Sequence, residues 1–133
     1  MSALPDRQQR DLVKCEDMRL HAERARRFLA SLTLEEFLAD ELVQSAVVRC
    51  VEVVGEAARL VSPEARRQAP AIPWPLIVGM RHVLAHDYGV VNLGKVYDVV
   101  TRHLPSLIAN LEPLIQALEA QVGWNEEDES PEP

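Results

Sequence analysis

A chain of 133 residues can bury one apolar core and is too short for two comfortable domains. Apolar residues make up 47% but aromatics only 5%, and five glycines are too few for many tight turns, which disfavours a sandwich or barrel. The formal charge of -7 is concentrated at one end, because Glu126, Glu127, Asp128, Glu129 and Glu132 all fall in the last eight residues; without them the body carries about -2, which argues against broad, unspecific duplex binding yet leaves room for a local basic groove.

The predicted elements are all helical. From about Asp6 to Leu32, the apolar positions Leu12, Cys15, Ala22, Ala25 and Leu29 recur at helical spacing with charge on the other faces, which predicts one long amphipathic helix. Thr33 and Glu36 form a capping box ahead of Phe37, Leu38, Leu42, Val47, Cys50, Val54, Ala57 and Leu60, so a second long helix is expected directly after it. Ser62 and Pro63 suit the N-cap and first position of a short helix through Arg67, and Pro70, Pro73 and Pro75 keep the chain beyond it irregular. A third helix begins near Trp74 and is expected to run to Gly89, which can take the left-handed conformation that ends a helix. Asn92 is the N-cap of a fourth, which Pro105 and Pro113 should bend or restart before it closes near Val122. The expected architecture is an all-α, up-and-down antiparallel bundle of four main helices over residues 1–122, with an unstructured acidic tail over 123–133.

Cys15 and Cys50 stand apart inside apolar helical patterns and read as buried free thiols. No run approaches the roughly 20 apolar residues of a membrane span, and no apolar stretch comes after the charged start, so a cytoplasmic protein is expected.

The stretch Gly79-Met80-Arg81-His82-Val83-Leu84-Ala85-His86-Asp87-Tyr88 carries the most specific signal. Arg, four residues, His, one residue, Tyr resembles the signature of the HEPN superfamily and, with its Tyr, of the HepT-like toxins. Val53-Val54-Gly55-Glu56-Ala57-Ala58, Ile72-Pro73-Trp74 and His103-Leu104-Pro105 look like further landmarks of that family in the right order, so the likeness covers roughly residues 8 to 118. The resemblance implies a metal-independent endoribonuclease toxin that works as a homodimer, needs no cofactor and takes RNA as substrate. It also implies a partner antitoxin, a minimal nucleotidyltransferase that transfers AMP from ATP onto Tyr88. The family usually carries Asn where this chain has His82, which leaves that position with an auxiliary part, read here as an RNA contact.

RNA supplies its own nucleophile, the 2′-hydroxyl, so a protein without metal need only move protons and stabilise the phosphorane. His86 is the candidate general acid or base, because an imidazole keeps both protonation states available near neutral pH. Arg81 is the candidate for holding phosphate oxygens, permanently charged and able to grip two at once. A helical register sets Arg81 and His86 about 140° apart around the axis; either the helix loosens near its end or the two converge with partners from a second copy. Asp87 beside His86 favours the imidazolium and a charged His82 opposes it. Glu56 is read as orienting Arg81 or another basic residue.

Blander uses stand beside these. His82 and His86 have the spacing of a zinc pair and Glu52 and Glu56 that of a carboxylate pair, but neither has its expected companions, so no metal site is expected. Arg24, Arg26, Arg27, Arg66 and Arg67 read as solvated faces, or as backbone contacts for RNA if they flank the cleft. Trp74 reads as a packing anchor. The competing function is a non-catalytic helical adaptor that binds the nucleotidyltransferase partner through the same motif.

Overall fold

Asp6 opens the first helix with a capping box: its side chain accepts from the Gln9 amide at 2.8 Å while the Gln9 side chain accepts from the Asp6 amide at 3.3 Å. The helix it starts, α1 (Arg7–Leu29), is the first element of a computed structural model that describes residues 6–84 and 91–129. There follow α2 (Leu34–Leu38), α3 (Glu41–Arg59), α4 (Pro63–Arg67), α5 (Trp74–Val83), α6 (Leu93–Asp98), a π-helical turn (Val99–His103) and α7 (Leu104–Glu129). The described residues are thus all-α, with four principal helical stretches, as the periodicity predicts. Helix α3 packs between α1 and α5, and α7 lies along the other side of α1.

The core is aliphatic. Met18, Ala22, Val47, Val51, Val54, Ile77, Met80, Leu104, Leu107, Leu111 and Leu118 are all at most 1% exposed. Cys15 and Cys50 are buried free thiols, and burial pushes Cys15 up to about 12, with Asp11 and Glu16 adding to the shift.

Three boundaries differ from the sequence reading. The expected second helix is two, because Asp40 makes a fresh N-cap on the Val43 amide at 3.1 Å and the Gln44 side chain takes the Phe37 carbonyl at 2.9 Å. Helix α5 ends at Val83 with Leu84 as its C-cap, short of the expected Gly89, which lies outside the described residues. The last main helix is bent, as its two prolines predict. A proline ring collides with the carbonyl four residues before it in a regular helix; ahead of Pro105 the backbone widens, the Leu104 amide reaching back to the Val99 carbonyl, and α7 then runs through Pro113. Finally, α7 continues to Glu129, beyond residue 122 where the tail was expected to begin.

One buried carboxylate ties the bundle together. Asp11, 2% exposed on α1, accepts from the Ser62 amide at 2.8 Å, the Ser62 hydroxyl at 2.6 Å and Arg7 at 3.2 Å. Ser62 is also the N-cap of α4, accepting from the Ala65 amide at 3.2 Å, so this contact locks α1 to the α3–α4 junction. Next to it, Arg66 donates to the Val61 and Ala58 carbonyls at 3.1 and 3.0 Å and lies over the Trp74 ring. Arg66 is therefore spent on closing α3 rather than presented to a substrate. Trp74 is the anchor expected of it, 6% exposed with its indole N–H donating to the Ala69 carbonyl at 3.1 Å.

Candidate active site

The last turn of α5 is brought to the surface by what lies beneath it. Ile77, Met80 and Leu84 face the core, which turns Arg81 and His82 outward; both are exposed. Opposite Arg81 on α3 stands Gly55. A Cβ there would come within 3.0 Å of the Arg81 Cγ and 3.2 Å of the Arg81 backbone nitrogen. The missing Cβ leaves room for that close helix approach and for the Arg81 stem to lie directly against α3.

Glu56, the next residue, meets the guanidinium. Its carboxylate lies 3.4 Å from the Arg81 Nε, with both side chains 44% exposed, and takes a closer bond of 2.8 Å from Arg59. The hydrogen bond from Arg59 holds the Glu56 carboxyl below the usual carboxylate range, helped by the charges of Arg59, Arg81 and Lys14. The carboxylate is thus shared by two guanidiniums, one gripped and one loosely held. A loosely held, half-exposed guanidinium exchanges partners at little cost, so an incoming phosphate can replace the carboxylate.

These residues edge an open groove of about 470 Å³ between α1, α3 and α5, lined by Lys14 and Asp17 from α1, Arg49, Glu52 and Glu56 from α3, Arg81 from α5 and Leu84 at its C-cap. Arg49 is paired with Glu52 at 2.6 Å. Of the predicted site residues, the structure joins Arg81 to Glu56 and places His82 beside them in sequence on the exposed face. His86, Asp87 and Tyr88 lie outside the described residues. Lys14, Arg49 and Arg59 were not singled out by the sequence reading. Arg59 had a legible signal, since three residues separate it from Glu56 on one helix. Lys14 had none, because it reaches the groove from another helix. Among the described residues, no three or more His, Cys, Asp or Glu side chains are grouped to hold a metal ion, and no helix is long and apolar enough to cross a membrane.

Comparison with known proteins agrees with the motif. Residues 18–114 match the family described as ribonuclease HepT-like. A relative in Methanocaldococcus jannaschii that bears the name "putative RNase" is 32% identical over 71% of this chain and 78% of its own length. The "probable ribonuclease HepT" of Thermococcus cleftensis is 33% identical over 74% of this chain and 90% of its own. No solved structure matches the chain significantly.

Proposed function

Because this chain belongs to the ribonuclease HepT-like family, we propose that it is a metal-independent endoribonuclease and the toxin of a toxin–antitoxin pair in the cytoplasm, centred on Arg81 and His86. The observation that carries this reading is the position of Arg81: half-exposed at the edge of an open groove and held loosely by Glu56. In the reaction, the 2′-oxygen forms a bond to phosphorus and the bond to the 5′-oxygen breaks, leaving a 2′,3′-cyclic phosphate and a 5′-hydroxyl. His86 takes the 2′-hydroxyl proton or protonates the leaving 5′-oxygen, the second proton transfer falling to the same group of a second subunit or to solvent. Arg81 stabilises the charge that builds on the non-bridging oxygens. His82 supplies an auxiliary contact, and Asp87 favours the charged form of His86.

Two copies form the working unit, their third main helices meeting so that the two motif edges make one cleft. The partner is a minimal nucleotidyltransferase that places AMP on Tyr88, putting bulk and negative charge beside Arg81 and so blocking a phosphate from entering. The test incubates purified protein with RNA in the presence of EDTA. Wild type yields cyclic-phosphate ends, and Arg81→Ala and His86→Ala each lose about 100-fold or more of the cleavage rate. Equal rates in all three proteins remove the site assignment. Supplying the partner and ATP adds the mass of AMP to wild type and not to Tyr88→Phe.

A further inference from the structure

Helix α1 continues past the groove with a change of chemistry. Lys14 and Asp17 line the groove, and His21, Arg24 and Phe28 follow them at spacings of four, three and four residues, on the same side of the helix. The charge of Lys14 acts on Glu56 and that of Arg24 on Cys50, so α3 runs antiparallel along this side. Arg24 and Arg27 therefore lie about 15 to 20 Å farther along α1 than Lys14.

Three guanidiniums meet there. Burial raises the Cys50 thiol, and the charges of Arg24, Arg27 and Arg49 each pull it back, so all three stand around one buried point where α1 packs on α3. At the other buried thiol, Cys15, the charges of Asp11 and Glu16 act instead. Among the described residues, no carboxylate pairs with Arg24 or Arg27, in a chain whose formal net charge is -7. Arg49 does have a partner in Glu52, but both side chains of that pair are exposed, and it exchanges at little cost. Arg49 also lines the Arg81 groove, so one residue belongs to both places. Beside the cations stands an exposed ring. Phe37 and Trp74 are buried and Tyr97 gives its hydroxyl to the Leu32 carbonyl, whereas Phe28 is 38% exposed, with the Arg27 guanidinium 5.4 Å from its ring centroid.

We infer that Arg24, Arg27, Arg49 and Phe28 form an outlying contact site for single-stranded RNA, in which the guanidiniums hold phosphates and the Phe28 ring stacks on a base. The inference rests on the ribonuclease reading for its ligand and adds to it a second point of attachment, away from the scissile phosphate. Guanidiniums without a carboxylate partner match phosphates, which each can grip by two oxygens at once. A cationic surface with an exposed ring matches a strand that offers both phosphate and base. Stacking is open to any base, so the site lends affinity and not sequence preference.

The test measures equilibrium binding of an uncleavable 2′-O-methyl oligoribonucleotide of about 12 nucleotides over a range of salt, with thermal melts to show that each variant folds. Arg24→Gln and Arg27→Gln should each weaken binding about fivefold and flatten the slope of log Kd against log salt by about 0.7, the loss of one phosphate contact on a single strand. Phe28→Ala should weaken it about fivefold or more with the slope unchanged, because stacking releases no counterions. Arg102→Gln removes the same charge from the π-helical turn, where Arg102 is 77% exposed beside Asp98, and should alter neither quantity. Unchanged binding in Arg24→Gln and Arg27→Gln, or no binding by wild type, overturns the site. So does an equal loss in Arg102→Gln, which traces the effect to net charge alone. A change of oligomeric mass in Phe28→Ala with RNA affinity preserved assigns the surface to a protein interface and likewise overturns it. Wild type that binds as expected but cleaves no RNA leaves the site standing and removes the ribonuclease reading, and wild type that cleaves while these variants bind normally does the reverse.

Discussion

Asp11 and Glu56 both bind guanidinium groups, and they do opposite things with them. Asp11 is sealed, 2% exposed, with three donors converging from Arg7 and Ser62. Glu56 is open, 44% exposed, and divides itself between Arg59 and Arg81. A carboxylate withdrawn from water must be fully satisfied where it sits, and its partners are thereby fixed. One left half in water can let a partner go at small cost. The first arrangement holds helices together, and the second keeps a cation available.

The sharpest way to break this contrast is to remove the sealed carboxylate. Asp11→Ala strands the Ser62 amide and hydroxyl at the α1–α4 junction, and it should cost about 2 kcal/mol or more of stability. A urea titration will read this as a lower midpoint with an unchanged slope. A variant as stable as wild type would mean that Asp11 is not the structural member of the pair.

Gly55→Ala probes the ground between the two. Its Cβ meets the Arg81 stem and backbone, so α5 must move away from α3, at about 1 to 2 kcal/mol of overpacking. Because the displaced residue is Arg81, RNA cleavage should fall by more than the loss of folded protein explains. Equal activity per folded molecule would show that the close approach matters only to packing.

The smallest stability effect belongs to Glu56→Gln. The folded carboxyl titrates below its ordinary value near 4.5, so the stability it contributes is present above that pH and is lost as pH falls through the folded value. Melting temperatures of Glu56→Gln and wild type should therefore coincide in acid and differ only slightly at neutral pH. Cleavage should fall severalfold as Arg81 loses its guide, and a large neutral-pH drop in melting temperature would put Glu56 in the same class as Asp11.

Much of this is legible in the sequence, and the exceptions share a cause. The helical seams of α1 and α3, the capping box at Thr33, the buried thiols and the anchoring role of Trp74 all follow from local spacing. The pairing of Arg81 with Glu56 is legible through the motif and its neighbours. What local spacing misses are partners from distant parts of the chain. Asp11 reads as one more surface acid until Ser62, 51 residues away, supplies its donors. Lys14 reads as a solvated cation until α3 and α5 bring Glu56 and Arg81 beside it. Asp40 reads as a residue inside a helix because Phe37 to Leu60 is apolar at helical spacing throughout, and only its bond to the Val43 amide reveals a second start.

The wide turn before Pro105 also determines where this protein can change length. A π-helical turn holds one more residue than the regular turn it replaces. It takes up that surplus locally, so Val96 before it, Val100 within it and Leu104 and Leu107 after it all still face the core. A residue removed from within 99–103 would merely restore an ordinary helix and leave both flanks in phase. The same deletion in the middle of α7 would rotate everything beyond it by about 100° and turn Leu114 and Leu118 out into water. The turn is the one stretch of the last helix with slack in it, and insertions or deletions among relatives should collect there.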